Sequence, residues 1–486
     1  MEKGSRERSE TERVGKDLIR DLVEALGPES VRHAPEDLRV YAYDGYRLGD
    51  VLPSAAVLPT DAKEAARAVR ICRDHGVPIV ARGSGTGLCG AAVPEDGGVV
   101  FSFARMNRVL EIDQRRRRAR VQPGLINARL SEATKPNGLF YAPDPSSQKI
   151  SSIGGNVGTN AGGPHCLSYG VTTNNVLGLE FVTNDGEVLR CRQDDAGYDL
   201  TGILVGSEGT LAMVTEIEVR LRHLPEETRV FLAVYDSIEA ACEAVSEIIG
   251  HGLVPTALEM MDRVMIRAVE EAFHAGYPQD AAAVLLVEVA GSREGADEAE
   301  HAIARIAKGG GALTWRTART QAERDALWAA RKGAAGAMGR LAPNYYIQDA
   351  TVPRTRLPDA LRAVEEVAAH YGITVANVFH AGDGNLHPLL PFDRRDPRQV
   401  EAVVRAGTEI LKRCIDLGGT ISGEHGIGYE KREALPLVFS TEDLAAMVRL
   451  RETFDPRTLF NPGKIFPSGA SCAEVRPSLA RTGGTP

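Results

Sequence analysis

Apolar residues in the first half of the chain fall into short runs separated by glycine. In the second half they recur at helical spacing between longer strands. Leu18, Leu22, Val23 and Leu26 share one face of a helix predicted over about 15–26. Asp61 with Glu64 reads as a capping box opening a helix on which Ala62, Ala65, Val69 and Cys72 recur, and Gly76 ends it. A short apolar strand over 77–80 runs into a glycine loop. Strands are predicted at 99–103, 109–113 and 119–122, then a helix around 126–134. Residues 177–182 and 187–191 form a hairpin across Asn184-Asp185-Gly186, followed by a strand at 215–221.

The pattern changes near Leu224-Pro225. Strand 230–235, helix 238–250, strand 283–289, helix 293–308 and strand 312–317 make one β-α-β alternation. Helix 357–370, strand 373–379 and helix 398–417 make a second. Two such runs predict a helix-backed sheet made of a pair of ferredoxin-like halves. A helix over 441–453 and the turn Phe454-Asp455-Pro456 close the ordered part. Residues 1–14 are polar and predicted disordered, and 468–486 read as a flexible tail.

A chain of 486 residues exceeds one ordinary core, so two or three domains are expected. A net charge of −9 argues against a nucleic-acid partner, which would select a basic face. No run approaches the ~18 apolar residues of a membrane span, and the charged N-terminus has no apolar signal segment. The seven cysteines are scattered without a CxxC pair, which fits reduced thiols in the cytosol and no iron–sulfur cluster in this chain. The expected location is therefore cytoplasmic.

The 50 glycines are clustered, and the clusters carry the candidate chemistry. Gly85–Gly90 satisfies G-x-G-x-x-G, but a Rossmann site needs a helix straight after the glycines. Here a loop and a strand follow, so the Rossmann reading fails on context. A nest of backbone N–H groups can hold phosphate without a helix. The passage 143–170, with Gly154-Gly155-Asn156-Val157-Gly158-Thr159-Asn160-Ala161-Gly162-Gly163, reads as a cradle for a planar or phosphorylated ligand. Four consecutive arginines, 115–118, sit at a hairpin tip and read as a solvated turn. Further on, His380 and His387 flank the turn Ala381-Gly382-Asp383-Gly384-Asn385-Leu386, and Glu424-His425 lies in Ser422-Gly423-Glu424-His425-Gly426. Three imidazoles and a carboxylate on glycine-lined loops suggest a metal site with a base beside it.

Six segments in this order resemble FAD-linked oxidases of the vanillyl-alcohol-oxidase (PCMH) type: 82–90, 160–163, 206–209, 380–387, 422–428 and 461–464. Within that group the chain looks most like the flavin subunit of glycolate oxidase and the D-lactate and D-2-hydroxyglutarate dehydrogenases. The resemblance implies an α+β architecture. A two-subdomain PCMH-type FAD-binding domain would cover 15–225 and a ferredoxin-like α+β cap domain 226–440. A helical C-terminal segment, 441–467, would return to the flavin. It also implies that Arg82, Gly83, Ser84, Gly85, Thr86 and Gly87 wrap the pyrophosphate. Pro143, Asp144 and Ser146 with Gly154, Gly155, Asn160, Gly162 and Gly163 would line the flavin, with Glu208, Gly209 and Asn461 beside them. The first loop has no histidine, so FAD would be non-covalent.

By the same resemblance, His380, His387 and Glu424 are ligands of a divalent metal and His425 is the general base. This donor set suits Zn, Mn or Fe and cannot choose among them. Asn385 would bond substrate or a ligand, and Arg331 would hold the substrate carboxylate. The reaction implied is metal-assisted oxidation of a small 2-hydroxy acid with hydride transfer to the flavin. Where 2-hydroxyglutarate enzymes carry a threonine and a lysine, this chain has Ala335 and Ile347, which favours glycolate or D-lactate. A 2-hydroxyglutarate-type dehydrogenase, a non-redox flavin transferase of the same fold and a silent binding subunit are the competing readings. Expected partners are an iron–sulfur electron-accepting subunit, which would bring the chain to the inner face of the membrane, or a second copy forming a homodimer.

Overall fold

The computed structural model describes residues 15–46 and 48–468. The expectations for 1–14 and for the tail past 468 lie outside the described residues. The first half is built on two small sheets. One has four strands in the order Val31–Arg32, Ala55–Val57, Val99–Ser102, Ile79–Arg82, the last three parallel. Helix Ala62–Asp74 makes the crossover, burying Ala65, Val69 and Cys72. Asp61 caps it by accepting from Glu64 N, while the Glu64 carboxylate reaches back to Thr60 N, one residue earlier than a capping box requires. Residues 83–98 contain no helix, in agreement with the rejection of a Rossmann site.

The second sheet is antiparallel, in the order Val109–Asp113, Arg118–Val121, Met213–Arg220, Val176–Val182, Val188–Arg192. Strand Met213–Arg220 buries Met213, Thr215, Ile217 and Val219 and turns Glu216 and Glu218 outward, the period of two that a half-buried strand needs. Arg118 and Arg192 pair with Glu218, and Arg120 with Glu216, so part of the arginine run belongs to a cross-strand charge ladder. The glycine-rich passage is partly helical: Ile153–Thr159 forms a helix capped by Ser152, which accepts from Gly155 N. Gly154 packs against Pro123, where a Cβ would come within 2.5 Å of the proline ring. Close packing thus outweighs the ~1 kcal/mol that a helical glycine costs.

The second half is one nine-stranded sheet. Glu227–Tyr235, Ala257–Asp262, Ala283–Gly291 and Thr314–Thr317 lie in the order fourth-first-third-second, with all neighbours antiparallel. That is the ferredoxin-like order. Asn344–Ile347, Ala376–His380 and Pro388–Phe392 repeat the first-third-second part of it, and the halves join edge to edge where Glu259 opposes His380. Helices Ile238–Gly250, Arg293–Gly309, Leu357–Tyr371 and Pro397–Asp416 cover one face; Arg263–Phe273 and Gln321–Lys332 cover the other. Along Glu227–Tyr235, Phe231 and Ala233 enter the first core and Val230 and Leu232 the second. After helix Thr441–Phe454 the chain runs back to the first sheet, where Ile79 N donates to Leu459 O and Asn461 N to Ile79 O.

Candidate active site

A single cavity of about 690 Å³ connects the glycine loops of the first half with the histidine loops of the second, within the ~300–1,000 Å³ of ordinary ligand pockets. One end is walled by residues 82–88, by Gly154, Gly155 and Gly158, and by Glu208 and Gly209. The other is walled by Arg331, Lys332, Ala335, Ile347, Val378, His387, Glu424 and His425. A Cβ at Gly158 meets nothing within 4 Å, and one at Gly87 meets only Asp44 at 3.8 Å, so side chains there would fill the cavity. Such a cradle fits a large planar and phosphorylated group.

At the far end, His380 Nε2 and His387 Nε2 lie 3.1 and 3.0 Å from the same oxygen of Glu424. The three ligand atoms all fall within 4.8 Å of one another, and both histidines are buried. Burial opposes the charge on His380, but Glu259 and Glu424 outweigh it and raise the ring well above its ordinary value. Burial likewise opposes ionisation of Glu424, while His380 and His387 hold its carboxyl well below the usual range. The buried Glu259 and the partly buried Glu424 thus draw positive charge to this point, and the donor set fits a divalent cation.

Asp349, which sequence reasoning missed, organises the turn that carries Glu424 and His425. It accepts from Ser422 Oγ at 2.7 Å, His425 N at 2.8 Å and Gly423 N at 3.0 Å, and Lys431 Nζ lies 3.3 Å away. Asp349, His387 and His425 also converge within 4.8 Å. With Lys431 and the turn amides on its oxygens, Asp349 serves as a scaffold. From the first half, Glu208 clasps the same turn, accepting from Ile427 N at 2.7 Å and Gly428 N at 2.8 Å. Its φ is 53°, a left-handed conformation unusual outside glycine. Burial pushes its carboxyl up to about 7 against those amide bonds.

His425 stacks on His387 with ring centroids 4.9 Å apart. Its Nδ1 is buried without a hydrogen-bond partner, and burial carries the imidazole down to about 4 against the opposing charge of Asp349. Arg331 is anchored from behind by an ion pair to Glu259, itself 2.9 Å from His380 Nδ1. The guanidinium Nε has no partner.

Not every expected residue reaches the cavity. Arg82 lines it but spends its guanidinium on Tyr43 O and Val40 O, clasping the N-terminal segment. Ser146 lines it; Pro143 and Asp144 lie outside the wall, and Asp144 binds Lys332 and His165. Asn160 caps helix Ile153–Thr159 in the left-handed region and accepts from Thr173 N. At Gly162 a Cβ would come 2.7 Å from Glu424, and at Gly163 2.7 Å from Asp144 O. Asn461 is fully buried and donates to Glu208 O and Ala91 O, locking the returning C-terminal segment onto the glycine loops. Asn385 lies beneath Gly423, its Oδ1 buried and unpartnered. The missed residues, Glu259 on strand Ala257–Asp262 and Asp349 on the link between Asn344–Ile347 and Ala350–Thr351, stand where no glycine or histidine pattern marks them.

Residues 53–192 match the family described as FAD binding domain, and residues 224–465 the FAD linked oxidases, C-terminal domain. The chain is 44% identical over 447 residues to the glycolate oxidase subunit GlcD of Escherichia coli K12, covering 91% of this chain and 90% of that one. It is 43% identical to the glycolate oxidase subunit GlcD of Bacillus subtilis, covering 94% and 98%. Among solved structures, 4-ethylphenol oxidase from Gulosibacter chungangensis superposes with a TM-score of 0.79 at 20% identity, covering 94% and 98%.

Proposed function

We propose that this chain, which belongs to the FAD-linked oxidases, is an FAD-dependent dehydrogenase of small 2-hydroxy acids such as glycolate or D-lactate. The observation that supports it most is the single cavity joining the glycine cradle to the histidine–carboxylate cluster. Gly83–Gly87, Gly154, Gly155, Gly158 and Gly209 would hold FAD non-covalently, and His380, His387 and Glu424 would hold the divalent cation. A bound flavin supplies the hydride acceptor and a bound cation supplies Lewis acidity.

The chain's own residues do the rest. Arg331, fixed by Glu259 and with its Nε free, takes the substrate carboxylate. His425, a neutral imidazole with a buried Nδ1, takes the hydroxyl proton. Ala335, Ile347 and Val378 form an apolar stretch of the wall, and Lys332 beside them is paired with Asp144, so a short uncharged substituent fits best. The electrons pass to another protein, and an iron–sulfur subunit is the proposed acceptor, because relatives are named as subunits and this sequence has no cluster-binding cysteine run. No helix among the described residues is long and apolar enough to cross a membrane.

The test is anaerobic titration of the purified protein. The oxidised-flavin absorbance band should bleach on addition of glycolate or D-lactate. Absence of bleaching with every 2-hydroxy acid tried would sink the proposal.

A further inference from the structure

One partly buried cluster of charges has no part in the catalytic roles above. His165 places Nδ1 2.8 Å from Asp144 Oδ2 and Nε2 2.9 Å from Glu288 Oε1. Lys332 Nζ lies 2.8 Å from the same Asp144 oxygen, and Trp328 Nε1 donates to Glu288 Oε2 at 2.8 Å. The Trp328 ring lies 5.4 Å from the imidazole. Asp144 and His165 belong to the glycine-rich half; Glu288, Trp328 and Lys332 belong to the large sheet and its helix.

A neutral imidazole has one N–H, so bonding a carboxylate at each nitrogen specifies the doubly protonated ring. Burial opposes that charge, but Asp144 and Glu288 outweigh it and push the ring up to about 10. Burial also opposes ionisation of Asp144, whose carboxyl His165 and Lys332 hold well below the usual range. Two carboxylates against two cations leave the cluster balanced, as buried charge requires. Trp328 and Lys332 stand four residues apart, on one face of helix Gln321–Lys332. Arg331, between them in sequence, turns to Glu259 and the cavity.

We propose that His165 is a positioning residue: its imidazolium, clasped between Asp144 and Glu288, docks the last turn of helix Gln321–Lys332 against the cofactor-side half and so fixes Arg331 in the cavity wall. The substrate part of this inference rests on the proposed 2-hydroxy-acid activity. A loosened dock leaves the flavin cradle and His425 intact and displaces the group that receives the carboxylate. The effect therefore falls on substrate affinity.

The test compares the wild-type holoenzyme with His165→Gln and Glu288→Gln, and with His165→Arg, which restores a cation with several donors. His165→Gln should raise KM roughly tenfold, with kcat within a few-fold and flavin content unchanged, because a small misplacement of a binding group is costly. Glu288→Gln should act in the same direction, and the double variant should be less than additive. His165→Arg should recover part of the loss. A second readout needs neither cofactor nor turnover. In a Trp315→Phe background, the charged imidazole quenches Trp328, so His165→Gln should brighten its emission. A lower melting temperature with unchanged KM and kcat would reduce His165 to a structural residue and overturn the inference. Unchanged Trp328 emission would show that the clasp does not form. If the wild type oxidises no 2-hydroxy acid, the proposed activity falls and takes the substrate part with it, while the emission still decides the clasp.

Discussion

His425 holds an unpartnered Nδ1 in a buried wall beside Glu424, and burial keeps its ring neutral near pH 7. Replacing it with Asn keeps much of the volume and removes the proton acceptor. His425→Asn should lower turnover by roughly 10²–10⁴-fold while the flavin band of the purified protein stays unchanged; stopped-flow bleaching reads the first and absorbance the second. Asp262 shows a different consequence of burial. It caps helix Arg263–Phe273 through Met265 N and accepts from Asn377 N and Nδ2, yet burial raises its carboxyl from 3.8 to about 6. A raised folded-state value means a stability contribution that is complete below about 3.8 and lost as pH rises through about 6. Relative to Asp262→Asn, the wild type should therefore lose about 1 kcal/mol between about pH 5 and about pH 8, measured by urea midpoints of both proteins. At this scale the histidines and Glu424 were legible because their glycine-lined loops set them apart. Glu259, inside a strand, and Asp349, between two short ones, were not, since a lone carboxylate there carries no local mark.

Helix Ile153–Thr159 and the loop after strand Ile79–Arg82 work as a unit. A Cβ on Gly83 would overlap Ser152 Oγ, the cap of that helix, and come within 3.1 Å of Gly155 N. Gly83→Ala should push the loop off the helix and narrow the cradle, destabilising the protein by roughly 1–3 kcal/mol. Flavin content per chain, read from the absorbance ratio of the purified variant, should fall with it. The glycines of 154–163 announced a close approach to something, but not that part of the passage is helical. Propensity argues against a helix there, and only the contact with Pro123 and the cap at Ser152 favour it. Helices Ile238–Gly250 and Arg293–Gly309 were readable from their apolar stripe. Helix Gln321–Lys332 went unread beside them, although it carries Arg331 and a full capping box at Thr320 and Glu323.

Across the whole molecule, the ligand cluster lies on the second half and the cradle on the first, so metal and flavin should come off independently. Dialysis against a chelator should abolish turnover and leave the flavin band in place, and adding back Zn²⁺, Mn²⁺ or Fe²⁺ should restore activity with one of them. Loss of flavin together with the metal would contradict this separation. Excess FAD should raise the melting temperature of the apoprotein, with about 2.7 kcal/mol of stabilisation at a hundredfold excess over Kd.

Local chemistry was determined by the sequence alone. Glycine spacing without a following helix excluded a Rossmann site, alternation at period two and 3.6 marked part of the strands and most of the long helices, and two histidine loops marked a donor set that fits a divalent cation. Those are properties of neighbouring residues, and neighbouring residues carry them. What only the tertiary structure decided is which distant groups meet. Edge-to-edge joining of the two ferredoxin-like halves sets Glu259 against His380, and through it anchors Arg331. The returning turn 424–428 reaches Glu208 across 219 residues of chain. His165 finds Glu288 at a separation of 123. Each is an ion pair or buried hydrogen bond whose partner is fixed by sheet register and packing, and a single sequence records neither.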